Sequence, residues 1–398
     1  MLDNFLWWAK VVTTFLYDSF GSITNETVIG VAGTNTIERY YDSFGRDAGY
    51  ALNGVRQSML AYDPATGRLA SMQIPAIEDK QNRCPPPPLF STFQWTYLEG
   101  SDFKSSLAYP NGLTASWSYD ANNQLLQVRN ATPTNGISQF DYAYDAAGRR
   151  TAIAKSGTAF EFDDVVSYGY NARSELTNAV AALDTNYRYS CRYDHIGNRE
   201  LSSERGTNTT YAANELNQYT QIAAEDEDAF IPEFDDDGNQ TLVKTATGVW
   251  HVAYNGENRP VLWNQSGVLL AMSYDRMGRR VAMVKSEEQS VAQQLVFAYN
   301  GYLQIERKKL DNTSLSCWQA EQFVWDPTES VSTRPLVWNR DGVSLFYTHD
   351  GNKNVSEVIS YGIDVLAHYE YAPFGALTHA IGSTPSVGQM RYLEGKEF

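Results

Sequence analysis

The chain has 398 residues, 42% of them hydrophobic and 20% charged, which excludes disorder by composition and leaves room for a large core. Its formal charge of −16 excludes a nucleic-acid partner, since phosphate binding rests on clustered Lys and Arg. No apolar run reaches the roughly 18 residues of a membrane-spanning helix, so no membrane span is expected.

The first residues, Met1 to Trp8, lack a basic start and a small-residue cleavage site, so they do not read as a signal peptide. They look like the middle of a strand, as though the chain began partway through a longer array. From there a phrase recurs. Tyr17-Asp18-Ser19-Phe20-Gly21 is the first copy, and Tyr41-Asp42-Ser43-Phe44-Gly45-Arg46 the second. Tyr144-Asp145-Ala146-Ala147-Gly148-Arg149, Tyr193-Asp194-His195-Ile196-Gly197 and Tyr274-Asp275-Arg276-Met277-Gly278-Arg279 follow. Tyr suits a pleated, half-buried surface, Asp bonds its own backbone two residues on, and Gly accepts φ > 0. The phrase therefore predicts the end of a strand, a tight turn and a new strand. Weaker copies are read starting at Tyr62, Tyr97, Tyr119, Tyr170, Tyr211, Phe234, Tyr254, Tyr299, Trp325, Tyr347 and Tyr371. The spacing falls between 18 and 26 residues, apart from the stretch between Tyr62 and Tyr97. That stretch carries Pro85 to Pro88, which cannot join a ladder and reads as a polyproline loop or insertion near 75–92.

Between turns the residues alternate. Leu113, Ala115, Trp117 and Tyr119 fall on one strand face, as do Phe140, Tyr142 and Tyr144. Asp164 to Ala182 has room for a helical turn or two, although Gly169 and the β-branched residues oppose more. The 26 Tyr and 17 Phe favour strands further. Single hairpins cannot bury their apolar faces alone, so the array must roll into a continuous sheet. The fold class is therefore all-β, an antiparallel β-hairpin repeat array.

Chemistry is sparse. Cys84, Cys191 and Cys317 are odd in number and far apart, so neither a disulfide framework nor a zinc knuckle follows. Asp235-Asp236-Asp237-Gly238-Asn239 resembles the start of a calcium loop, but Ala246 stands where the bidentate Glu belongs, and the segment is in register with the turns. It is read as a turn. The five histidines are scattered along the chain. The run Glu225 to Asp228 reads as a solvated loop. Arg46, Arg68, Arg149, Arg199 and Arg279 at turn ends are expected to pair with the preceding repeat's Asp or to stack on Tyr. No catalytic, cofactor-binding or metal-ligating residue is assigned. The residues singled out define turns: Tyr41, Asp42, Gly45, Tyr144, Asp145, Gly148, Tyr193, Asp194, Gly197, Tyr274, Asp275, Gly278, Tyr371 and Gly375.

The repeated Y-D-x-x-G-R phrase resembles that of the RHS, or YD-repeat, family over essentially the whole chain. Phe346 to Val355, followed by His368-Tyr369-Glu370-Tyr371-Ala372-Pro373-Phe374-Gly375, looks like the start of the family's RHS-associated core segment. The resemblance implies a β-ribbon wound into a spiral shell. In insecticidal toxin complexes and bacterial polymorphic toxins such a shell encloses a toxic C-terminal domain, released by an Asp-Pro-x-Gly autoproteolytic motif. Neither Asp63-Pro64 nor Asp326-Pro327 matches that motif. The chain thus divides into a repeat array over 1–345 and the start of a core segment over 346–398. The expected function is a structural shell segment without chemistry of its own, secreted or at the cell surface. The expected partner is a C-terminal core or toxin region, or another partner at the bare sheet edges, which would otherwise drive self-association. The alternative is a surface adhesin binding glycans through Trp95, Tyr97, Trp117 and Tyr119.

Overall fold

The computed structural model describes residues 11–30, 33–75, 90–288, 290–310, 318–329, 333–340 and 342–382. The polyproline run, the first eight residues, Cys84, Cys317 and the tail after Gly382 lie outside the described residues. Among those described, 33 strands form and no helix does. Each strand pairs antiparallel with its sequence neighbour, in three sheets of 5, 14 and 14 strands. These run from Val12 to Arg56, from Met59 to Ala224 and from Glu233 to Gly382.

The sheets are pieces of one ribbon. At the first break, the N–H groups of Gln57 and Ser58 both donate to the carbonyl of Tyr50, at 2.9 and 3.2 Å. Gly49 makes this possible: it sits at φ +102°, where a Cβ would lie 2.2 Å from the Ser58 carbonyl oxygen. At the second break, Ile222 and Phe230 exchange a pair of 2.8 Å backbone bonds.

Alternation sets the inner face. Leu113, Ala115, Trp117, Phe140 and Tyr142 are all buried, while Ser118 and Ala143 between them are exposed. The sequence expectation of helical turns within 164–182 is corrected: Asp164–Tyr170 and Leu176–Ala181 are paired strands. Val166 and Tyr168 on one face pack towards the core, and β-branched residues favour the pleat over the helix. Two turn positions are corrected as well. The turns read as starting at Tyr211 and Tyr347 lie two residues later, opened by Asn214 and Asp350. The acceptor side chain at the turn's first position and a positive-φ residue three further on, Asn217 or Lys353, place the bend.

The ribbon coils onto itself. Leu336, Val337, Phe346 and Ile359 from the third sheet complete the core formed by Phe93, Leu107, Leu113 and Val128 of the second. Polar contacts join Lys104 to Asp326, Asn130 to His349, Lys155 to Glu370 and Arg205 to Thr378. Both series advance along the chain, so the later coil follows the earlier one in the same sense. The first sheet is gripped likewise: Ile37 and Leu52 pack with Ala298 and Ile305, and Arg39 donates to Asn300 at 2.9 Å. The end strands Val12–Tyr17 and Leu377–Gly382 each pair with one neighbour, so the described ribbon is open and no closed barrel forms.

Candidate functional site: the turn ladder and the seam between coils

Each recurrent turn is built by its Asp. In Asp145–Arg149, the Asp145 N–H donates to the Arg149 carbonyl at 2.9 Å, and the Gly148 N–H to the Asp145 carbonyl at 3.0 Å. Asp145 Oδ1 accepts from the N–H groups of Arg149 and Ala147, at 2.9 and 3.0 Å. These bonds, the one from Arg149 N–H foremost, hold its carboxyl below the usual carboxylate range. Gly148 takes φ +78°, and Tyr144 pairs across a register shift with Arg150. That shift is a bulge, which adds local twist to the ribbon. Gly45, Gly197, Gly278 and Gly375 sit at φ +76°, +100°, +83° and +84° in equivalent turns. Asp42, Asp194 and Asp275 each accept two backbone N–H bonds in the same manner. The last of these turns has Ala372 in place of Asp and keeps only the backbone bonds. Asp235 follows the pattern too, accepting from Asp237 and Asn239 N–H and from the Asn239 amide.

The Tyr and Arg link one turn to the next. Tyr144 OH donates to the Leu125 carbonyl, just past the previous turn, at 2.7 Å. Tyr41, Tyr193, Tyr274 and Tyr371 reach back in the same way to the carbonyls of Ile23, Leu176, Pro260 and Val355, at 2.9 to 3.0 Å. Arg149 bonds Asp145 of its own turn at 2.7 Å and reaches forward to the Asn171 carbonyl at 3.2 Å, over the Tyr170 ring. Arg46 and Arg279 repeat this with Gly67 and Gly301. Of the two alternatives expected for the turn-end Arg, stacking on Tyr holds for Arg46, Arg68, Arg149 and Arg279, which lie over Tyr62, Tyr97, Tyr170 and Tyr299, whereas pairing with the preceding repeat's Asp is corrected. A four-residue separation within the turn puts the guanidinium on its own Asp, and the remaining N–H groups point to the next turn. Arg199 departs again, lying 4.1 Å over the Phe374 ring of the other coil.

Between the coils lies a buried polar seam that no local pattern announces. Glu357, fully buried, accepts from the hydroxyls of Ser138 (2.9 Å), Ser356 (2.7 Å) and Thr348, and bonds His368 Nδ1 at 2.9 Å. Four bonds match what an ionised carboxylate accepts. Glu370 lies 3.8 Å from His368 Nε2 and bonds Lys155 of the other coil at 2.7 Å. Burial alone would lower the pKa of His368, but Glu357 and Glu370 prevail and raise it to about 9. Burial likewise works to raise Glu370, and His368 and Lys155 pull it down to about 2. The Phe160 ring meets the imidazole edge-on at 4.5 Å. All three hydroxyls donate to Glu357, and the constellation reads as a lock between the coils.

Two further charged clusters join residues far apart in sequence. Lys104 Nζ bonds Asp326 Oδ2, Thr328 Oγ1 and Glu329 Oε1 at 3.0, 2.9 and 3.1 Å. Glu329 also pairs with Lys353 and Arg334, and these cations outweigh its burial to hold it at about 2. Buried Arg279 pairs with Asp275 at 2.6 Å and with Glu26, which also binds Arg39 at 2.6 Å. Asp326-Pro327 is thus a turn within a charged cluster. Of the remaining histidines, His349 is buried and kept neutral by burial and by nearby Arg334 and Lys104. His195 and His251 are exposed, and His379 borders a cavity of about 450 Å³ beside the seam. Among the described residues no group of three or more His, Cys, Asp or Glu is placed to hold a metal ion. Trp95 and Trp117, read as sugar-stacking candidates, are 4% and 7% exposed and belong to the core.

The geometry defines a class: an antiparallel ribbon of two-strand repeats, stitched turn to turn and wound in stacked coils. Residues 119–159 match the family model described as RHS Repeat. The fold is that of the crystal structure of TcdB2-TccC3, with a TM-score of 0.69 at 13% identity. That match covers 95% of this chain and 21% of the other, so the chain spans about a fifth of its length. The crystal structure of TcdB2-TccC3-Cdc42 is also similar, at 12% identity over 97% of this chain and 25% of that one, with a TM-score of 0.46. No curated protein matches the sequence.

Proposed function

We propose that the chain is a wall segment of an RHS-type shell, which encloses or presents a toxic or other cargo polypeptide and performs no chemistry itself. The observation that supports this best is the stacking of coils through buried polar contacts, such as Ser138 with Glu357, between residues 219 apart in sequence. Contacts of that reach resist unwinding of a ribbon whose repeats otherwise touch only their neighbours. The fold shared with TcdB2-TccC3 and the RHS repeat at 119–159 support the same reading. In it, residues 346–398 open the core segment that follows the repeat array, and the protein acts outside the cell that makes it.

The test is protease protection. The gene's full product is digested with a broad-specificity protease under native conditions and again in denaturant. Enclosure predicts a polypeptide that survives with the ribbon natively and is lost in denaturant. A ribbon that protects nothing beyond itself would overturn the reading.

A further inference from the structure

The third sheet carries a cavity unrelated to the turns or the seam, with a volume of about 500 Å³. Its floor is apolar: Trp250, Leu270, Met272, Met283 and Leu295. Register places these on one face, since Met272 pairs with Met283 and Met283 with Leu295. From the strand of Trp250 to that of Leu295 are four strand spacings, about 19 Å. One side of the floor turns basic. Leu295 pairs with Lys309, Leu270 with Lys285, and Arg307 and Arg340 stand on either side of Glu321. Arg280 completes the rim, lying 4.9 Å over Phe297.

Five cations border this one cavity in a chain of net charge −16. The acidic groups beside them are fewer. Glu321 binds Arg307 at 2.6 Å and Arg340 at 3.4 Å, and Glu287 binds Lys285 at 2.5 Å. Lys309 is exposed and has no ion-pair partner among the described residues. A concave apolar floor with a few convergent charged groups is the usual form of a small-ligand site. Guanidinium groups favour carboxylate and sulfate, and cations at the mouth of an apolar cleft concentrate anions there.

We propose that this cavity binds an anionic amphiphile: an acyl chain on the Trp250–Leu295 floor, with its carboxylate or sulfate head at the Lys285, Lys309 and Arg340 rim. Free amphiphile and the same head group in a membrane share this chemistry; the site is committed to the free molecule, because the floor is recessed within one sheet. The test is isothermal titration calorimetry with dodecanoate below its micelle concentration, with dodecyltrimethylammonium as the matched cation and dodecanoate-containing vesicles as the membrane arm. The expected result is saturable binding of one dodecanoate per chain, with the cation binding at least about tenfold more weakly. In the K285E/K309E variant, dodecanoate affinity is expected to fall about tenfold, with the unfolding midpoint unchanged. The R340Q variant gives an independent reading if the double variant does not fold, and is expected to weaken dodecanoate more than threefold. Absence of saturable binding, equal binding of the cation, a preference for vesicles over free dodecanoate, or a loss of less than threefold in the folded variants would overturn the proposal.

Discussion

Replacing Glu357 by Ala should be among the most damaging single substitutions in the chain. The carboxylate is fully buried and accepts from three hydroxyls and the His368 imidazole. Ser138, Thr348 and Ser356 can turn to other acceptors at moderate cost. His368, 2% exposed and raised to about 9, is left charged in the seam with only Glu370 at 3.8 Å, or must lose its proton. Breaking a buried pair by deleting one partner typically costs about 3–5 kcal/mol, and that is the loss expected. Glu357→Gln keeps the volume and one acceptor, so about 1–3 kcal/mol is expected. The assay is urea unfolding at pH 7, followed by tryptophan fluorescence and circular dichroism so that two-state behaviour is checked. His368→Ala and the double variant complete a cycle, and a coupling of about 1–3 kcal/mol between the two sites is predicted. A loss under about 1 kcal/mol for Glu357→Ala, or simple additivity, would refute the seam as the lock between coils.

Other outcomes follow from the same contacts. The raised pKa of His368 stabilises the fold below its unfolded value near 6.5, and that contribution is lost as pH rises through about 9, on the order of 3 kcal/mol. Urea midpoints from pH 6 to 10 should therefore fall on the alkaline side, with a shallower fall in His368→Gln. Glu370 runs the other way: its contribution is present above its unfolded value near 4.5 and lost as pH falls through about 2, so Glu370→Gln should flatten the acid limb of the same profile. Arg279→Met leaves Glu26 with Arg39 alone in a buried site and should cost about 3–5 kcal/mol in urea unfolding. Tyr144→Phe removes one rung to Leu125 and should cost about 0.5–1.5 kcal/mol, whereas Gly148→Ala, at φ +78°, should cost about 1–2 kcal/mol.

The ribbon was legible because its signals are local. Strand alternation at Leu113 to Tyr119 and the Asp–Gly bends repeat every two strands, and both depend on residues a few positions apart. The misplaced turns near Tyr211 and Tyr347 show which residue carries the signal: Asn214 and Asp350 open the bend, whereas the aromatic three residues earlier is simply in a strand. Val165, Val166, Tyr168 and Tyr170 carried a strand pattern, and Gly169 with the β-branched residues already opposed a longer helix. The seam was not legible. Ser138 meets Glu357 across 219 residues and Lys104 meets Asp326 across 222, separations fixed by how many strands complete a coil. In sequence Glu357 and His368 resemble any polar residues of a half-exposed strand, and only coil stacking turns their shared face inward. Buried charge at regular offsets between turns, such as Asp326 and Glu329 in one phrase, is the one trace a sequence could offer.

The central claim is that two coils of one ribbon lie against each other in a fixed register. Zero-length carbodiimide coupling, which joins an amine only to a carboxylate in contact, tests it most directly when read by mass spectrometry of the peptides. The account predicts linked peptides joining Lys155 to Glu370 and Lys104 to Asp326 or Glu329, each lost when the lysine is replaced by arginine. Links confined to neighbouring repeats, with neither long-range pair recovered, would contradict it.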